Sequence, residues 1–228
     1  MANRFSGICA KRTGEDNLNQ REVAIAMTKT QSAVVFTMAA TICVPIGYFL
    51  IDIPVIEYFH SLRERSFMDA LRLITAMGES QWYLVAGLCL WILFRKRSDR
   101  PAYGGMLLLS SVALSGIVAN LFKTLLGRAR PRLYFQEGVY GFDFFHIDYS
   151  WLSFPSGHAA TALGAASALA LLFPGYRSAF YSAGIVIAAS RIVLNEHYPS
   201  DVIAGSLLGY YTTLFLYHRF FREKMHGE

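Results

Sequence analysis

Residues 101–122 read PAYGGMLLLSSVALSGIVANLF, with no charged side chain in 22 positions. As an α-helix this segment measures about 33 Å, enough to cross the roughly 30 Å hydrocarbon core of a bilayer. No acidic or basic residue interrupts the run, so the stretch predicts a membrane-spanning helix. The fold follows from how often this pattern recurs on either side.

Five further segments repeat it. On the N-terminal side are residues 31–51, uncharged throughout, and 73–94, interrupted by Glu79 near its start. On the C-terminal side are 159–176, 178–194 with Arg191 near its end, and 202–217. Composition agrees with the count. The 228 residues are 54% hydrophobic and 16% charged, against about 25% charged in an ordinary soluble domain. Six spans of about 20 residues would use most of that apolar content. A soluble enzyme, a disordered chain and a DNA-binding module are all disfavoured. The net charge of +5 does not imply nucleic acid, because the basic residues sit in short loops between apolar runs. The expected fold is all-α: one bundle of six transmembrane helices, with a long extracytoplasmic loop between the third and fourth. The last three runs are rich in Ala, Gly and Ser, which lets membrane helices approach closely.

An even number of spans leaves both termini on one side. That side carries 13 basic residues and the other eight, so the termini are expected in the cytoplasm. The expected layout is a cytoplasmic tail at 1–30, a membrane domain at 31–218 and a cytoplasmic C-terminal tail at 219–228. The first thirty residues are polar and of mixed charge, without the apolar core of a signal peptide. Cys9, Cys43 and Cys89 form no C-x-x-C pair, so neither a disulfide framework nor a cysteine metal site is expected.

Ionisable residues beside a bilayer are expensive and need a reason. Three clusters fall on the same expected side. The first is Lys123-Thr-Leu-Leu-Gly-Arg128-Ala-Arg130-Pro131. The second is Pro155-Ser156-Gly157-His158. The third runs from Ser190-Arg191 to His197-Tyr-Pro-Ser-Asp201. An up-and-down path brings all three to one end of the bundle. Lys123, Arg130 and Arg191 would then offer three cations to a tetrahedral anion, since Arg holds phosphate oxygens with two N–H groups. Ser156 and Gly157 would sit at a helix N-terminus, where free N–H groups and the helix dipole favour an anion. His158 and His197 are the candidate proton-transfer or nucleophilic groups. Asp201, four residues after His197, could hold the imidazole in one tautomer. For Arg128 and Arg132 two readings stay open, membership of the site or snorkelling anchors at the bilayer surface.

The order and spacing of these clusters resemble the three-part signature of the type 2 phosphatidic acid phosphatase superfamily, which includes lipid phosphate phosphatases, glucose-6-phosphatase and vanadium haloperoxidases. The resemblance spans residues 123–201, and the six-span layout is similar to that of the bacterial membrane members. It implies that His197 attacks phosphorus to give a phosphohistidine, that Asp201 orients it, and that His158 protonates the leaving oxygen and later activates water. Lys123, Arg130 and Arg191 would clamp the phosphoryl oxygens, assisted by Ser156 and the Gly157 N–H. It implies no metal and no other cofactor. The haloperoxidase members are soluble, which disfavours that activity here.

The expected function is therefore hydrolysis of the phosphomonoester or diphosphate of a membrane lipid. Phosphatidic acid, phosphatidylglycerol phosphate, undecaprenyl diphosphate and a lipid A phosphate all remain open as substrates. The expected place is a bacterial inner membrane, with the site facing the periplasm or cell exterior. The bilayer and the lipid are the expected partners, with no nucleic acid and no obligate protein. Three alternatives stay open: transfer of the phosphoryl group to another lipid, a metallohydrolase ligated by His158, His197 and Asp201, and a non-catalytic membrane transporter or binding protein. Finally, eight aromatic residues lie between Arg132 and Ser153. Either they pack the loop onto the bundle, or they hold it at the headgroup level beside a lipid's route to the site.

Overall fold

The computed structural model describes residues 38, 42–62 and 65–226. The chain divides into two units, 1–42 and 43–228, and the architecture below is that of the second. The expected tail at 1–30 lies outside the described residues. Among the described residues there is no β-strand, only isolated bridges from Arg128 to Phe142 and to Leu152. The all-α expectation holds there.

A π-helical turn, Gly47–Ile51, leads into α1 (Asp52–Ser61). Next come α2 (Arg65–Ala76), α3 (Ser80–Phe94), α4 (Asp99–Leu126) and the short α5 (Pro131–Glu137). After the loop follow α6 (Gly157–Leu172), α7 (Arg177–Val193), α8 (Pro199–Leu216) and α9 (Arg222–His226). Among the described residues two helical stretches, Ile42–Ser61 and Asp99–Leu126, are long and apolar enough to cross a membrane, and Gly157–Leu172 is a shorter apolar helix.

Two expected boundaries need correction. The segment 73–94 is not one helix: it breaks at Met77-Gly78-Glu79, between α2 and α3. Glu79 takes an extended backbone at the N-cap position of α3 instead of lying within the helix. The segment 31–51 falls largely outside the described residues, and the apolar stretch that is described runs on to Ser61, with Asp52 inside it.

Helix α6 forms the centre, packed against α4, α7 and α8. Its sequence GHAATALGAASALALL explains that position, because side chains this small let neighbouring backbones come close. The contact with α8 is the tightest. A Cβ on Gly209 would collide with the Ala160 carbonyl, and one on Gly205 with the Ser156 carbonyl. Thr213 Oγ1 donates to Gly164 O across the same seam at 3.1 Å. This seam sets the site, because Ser156 and Gly157 begin α6 while Pro199 begins α8.

Candidate active site

Each cluster reaches the site by a local device. Lys123 lies in the last turn of α4, which ends on Gly127 in a left-handed conformation, φ 56°. That turn sends Arg128 inward and starts α5 at Pro131, directly after Arg130. Ser156 caps α6, its Oγ accepting from Ala159 N at 3.4 Å. The first two N–H groups of that helix, those of Gly157 and His158, have no intrahelical acceptor. Pro199 occupies the first turn of α8, and the Asp201 carboxylate accepts from Tyr198 N at 3.0 Å. The spacing His197-x-x-x-Asp201 therefore places the histidine just before a helix start and the aspartate within its first turn.

The structure brings all eight expected site residues together. Lys123 Nζ lies 3.3 Å from the position a Gly157 Cβ would take. His158 lies within electrostatic reach of Arg191, Lys123 and Arg130. Ser156 N donates to Asp201 O at 3.0 Å, joining the second and third clusters directly. His197 Nδ1 is 3.6 Å from Asp201 Oδ2 and 3.5 Å from Ser153 Oγ. These separations exceed a formed hydrogen bond, and such contacts commonly tighten when substrate binds. Burial pushes the His197 imidazole down to about 3, against the opposing pull of Asp201, so the ring is neutral near pH 7.

The cations divide by how their donors are used. Arg130 is tied down: Nε donates to Tyr149 O at 3.0 Å and Nη2 to Leu152 O at 3.3 Å. Arg191 donates from Nη1 to Thr75 Oγ1 at 3.0 Å, while its buried Nε has no acceptor among the described residues. The half-exposed Glu196 carboxylate stands 3.4 Å from Arg130 Nη1 and 3.5 Å from Arg191 Nη2. One carboxylate between two guanidiniums shows that the two donors can be directed at the same anionic group.

A second network lies behind the histidine, and sequence reasoning missed most of it. Arg128, Asp52 and Asp201 are all fully buried. Arg128 Nη1 donates to Asp201 Oδ1 and to Ser200 Oγ at 2.7 Å, and Nη2 donates to Asp52 Oδ2 at 2.6 Å. Ser200 N donates to Asp52 Oδ1 at 2.9 Å. Ser153 Oγ donates to Asp201 Oδ2 at 2.6 Å. Burial would lower the Arg128 guanidinium, but Asp201 and Asp52 more than offset it and hold the group charged. Five rings surround it, with Tyr198 nearest at 4.5 Å and Phe154 farthest at 6.0 Å. Arg128 is therefore part of the site, while Arg132 is exposed. Among the described residues no three His, Cys, Asp or Glu side chains gather as a metal site.

The aromatic loop does two things. Tyr140 and Phe142 face Arg128, and Tyr140 Oη donates to Tyr48 O at 2.6 Å. Those rings pack the loop inward. Phe144 and Phe145, 63% and 73% exposed, do not.

The sequence model of the PAP2 superfamily matches residues 104–225, which include the three charged clusters from Lys123 to Asp201 but not Asp52. The chain belongs to the PAP2 superfamily. A lipid A 1-phosphatase of Rhizobium etli is 35% identical over 178 residues, covering 73% of this chain and 75% of that protein. Two solved structures share the PAP2 fold. The LpxE of Aquifex aeolicus superposes with a TM-score of 0.57 at 20% identity, covering 75% of this chain and 96% of that one. A transmembrane PAP2-type phosphatidylglycerolphosphate phosphatase of Bacillus subtilis gives 0.60 at 21%, covering 83% and 96%. Within this PAP2 chain, Asp52 and Arg128 are buried charges that the three-part signature does not contain.

Proposed function

We propose that this PAP2 protein is a membrane phosphatase that removes the phosphate of a membrane lipid through a phosphohistidine on His197. The coarse part, a membrane lipid phosphatase, rests on the family and on its phosphatase relatives. The observation that carries the chemistry is the convergence of Lys123, Arg130 and Arg191 with the N-terminus of α6 around two histidines. A neutral imidazole with its Nδ1 turned toward Asp201 presents Nε2 as the nucleophile.

In this mechanism His197 Nε2 forms a bond to phosphorus while the bond from phosphorus to the lipid oxygen breaks. The bound phosphate dianion offsets the three cations and favours the protonated form of His158, which gives that oxygen its proton. Neutral His158 then takes a proton from water, which attacks the phosphohistidine and frees inorganic phosphate. Positioning and charge stabilisation supply most of the rate in such transfers. The cations supply the neutralisation that other phosphotransfer enzymes obtain from Mg²⁺, so we read the reaction as metal-independent. Six crossings, cytoplasmic termini, an inner-membrane location and a site facing outward complete the proposal, on the basic-residue asymmetry.

The test is phosphate release by purified protein from phosphatidic acid, phosphatidylglycerol phosphate, undecaprenyl diphosphate and a lipid A 1-phosphate. The Rhizobium relative makes the last the first to try. Release from at least one that vanishes in His197→Ala is the expected result. Release that persists in that variant would contradict the mechanism.

A further inference from the structure

A cavity of about 520 Å³ opens beside His158, between α3, α4 and the start of α6. Along α4 it is lined by Asn120, Gly116 and Val112, spaced four apart on one face and spanning about 12 Å. A Cβ on Gly116 would meet nothing within 4 Å, so this wall faces open space. A Cβ on Gly78 would lie 3.1 Å from His158 Cδ2, and the polar Glu79 and Gln81 that follow Gly78 also line the cavity. Gln81 Nε2 donates to Glu79 Oε2 at 2.8 Å. No hydrogen bond engages Glu79 Oε1 or the Asn120 amide among the described residues.

We propose that this cavity receives the leaving alcohol of the substrate, and that Glu79 and Asn120 in its lining select an uncharged alcohol bearing hydroxyl groups, a sugar or polyol. The inference rests on the phosphatase reading and deepens it. In-line displacement puts the leaving group opposite His197, on the side of the acid that protonates it. That acid is His158, and the cavity adjoins it. A carboxylate only accepts hydrogen bonds. Diacylglycerol, released from phosphatidic acid, surrounds its one new hydroxyl with ester acceptors and gives Glu79 nothing further to accept. Undecaprenyl phosphate, released from the diphosphate, would set an anion against a carboxylate. A sugar or polyol alcohol donates to Glu79 and exchanges hydrogen bonds with Asn120, while its acyl chains run down the Val112 end.

The experiment measures kcat/KM in mixed micelles for a diacylated glucosamine 1-phosphate, dioleoyl phosphatidic acid and undecaprenyl diphosphate. Wild-type protein is compared with Glu79→Gln, Asn120→Leu and Gly116→Phe, each checked for an unchanged melting temperature. The wild type should favour the sugar phosphate by about tenfold or more. Glu79→Gln and Asn120→Leu should each erase most of that preference, leaving phosphatidic acid within about twofold. Glu79→Gln should also raise turnover of the diphosphate. Gly116→Phe should depress kcat/KM for the acylated sugar phosphate. No wild-type preference, variants that move all three substrates in parallel, or an indifferent Gly116→Phe would each overturn the inference while leaving the phosphatase reading intact. Failure of the wild type to release phosphate from any of them would defeat the phosphatase reading and this inference together.

Discussion

Arg128 reaches Asp201 across 73 positions of sequence, and both side chains are completely shut off from solvent. With Asp52 they form two carboxylates on one guanidinium, joining the apolar stretch before Ser61 to the start of α8. Asp201 faces Arg128 with one oxygen and His197 with the other. The buried pair thus positions the carboxylate that is proposed to orient the nucleophile.

Removing Arg128 should therefore be severe. Arg128→Ala leaves Asp52 and Asp201 buried without a counter-charge, a loss of about 3–5 kcal/mol. Arg128→Lys keeps the charge but lacks the two separated nitrogens that reach Asp201 and Asp52 individually. It should fold better than Arg128→Ala and still turn over slowly. Thermal unfolding in detergent, paired with kcat, checks the order: wild type, then Lys, then Ala.

The proposed catalytic set gives a graded prediction. His197→Ala should abolish turnover and His158→Ala nearly so. Asp201→Asn should slow it steeply because the imidazole loses its orienting carboxylate. Neutralising Lys123 or Arg191 should lower kcat by about 10²-fold or more, as loss of a donor to a developing charge does elsewhere. Single-turnover rates on one lipid substrate rank the variants.

The pH dependence follows from His197. Its ring is held at about 3 by burial, while an unfolded histidine titrates near about 6.5. Between these values the unfolded chain binds the extra proton. The contribution to stability is therefore complete above about 6.5 and is lost as pH falls toward 3. Melting temperature should fall on acidification through that window, and less so in a His197→Gln variant. In kcat/KM, protonation of His197 should produce no acid limb between pH 5 and 7.

Much of the site was legible because chemistry and spacing coincide. Cations, a Pro-Ser-Gly-His helix start and a His-x-x-x-Asp pair all sit where apolar runs end. Asp52 was not legible, because the uncharged run ends at Ile51, one residue short of it. The helical stretch continues to Ser61 and so contains a buried aspartate that demands a partner. Arg128 could be read as an anchor because sequence does not say which way a turn faces. Its inward course depends on the left-handed Gly127 and on rings arriving from Tyr48, Tyr140 and Tyr198. The break at Gly78 does carry a signal, the polar run Glu79-Ser80-Gln81 directly after it, but a single charge in 22 positions still reads as one span.

The seam between α6 and α8 carries its own prediction. Gly205→Ala sets a methyl group against the Ser156 carbonyl. Pushing that carbonyl away displaces the start of α6, and with it the Gly157 N–H. Overpacking of this kind costs about 1–3 kcal/mol. Activity should fall further than the melting temperature suggests, whereas Gly175→Ala, with nothing near its Cβ position, should leave both unchanged.

Chelation separates the metal-free mechanism from ligation by His158, His197 and Asp201. Phosphate release should survive EDTA at full rate, and vanadate, a mimic of five-coordinate phosphorus, should inhibit. Loss in EDTA with recovery on adding a divalent ion would favour the metallohydrolase.

The central claim is that phosphorus is bonded transiently to His197. It is tested most directly by mixing the enzyme with a ³²P-labelled lipid phosphate, quenching in alkali within one turnover, and mapping the label. The account predicts an alkali-stable, acid-labile label on the peptide containing His197, absent in His197→Ala and accumulating in His158→Ala with a good leaving group. Full phosphate release with no protein-bound label at any time within the turnover, or a label on another residue, would contradict it.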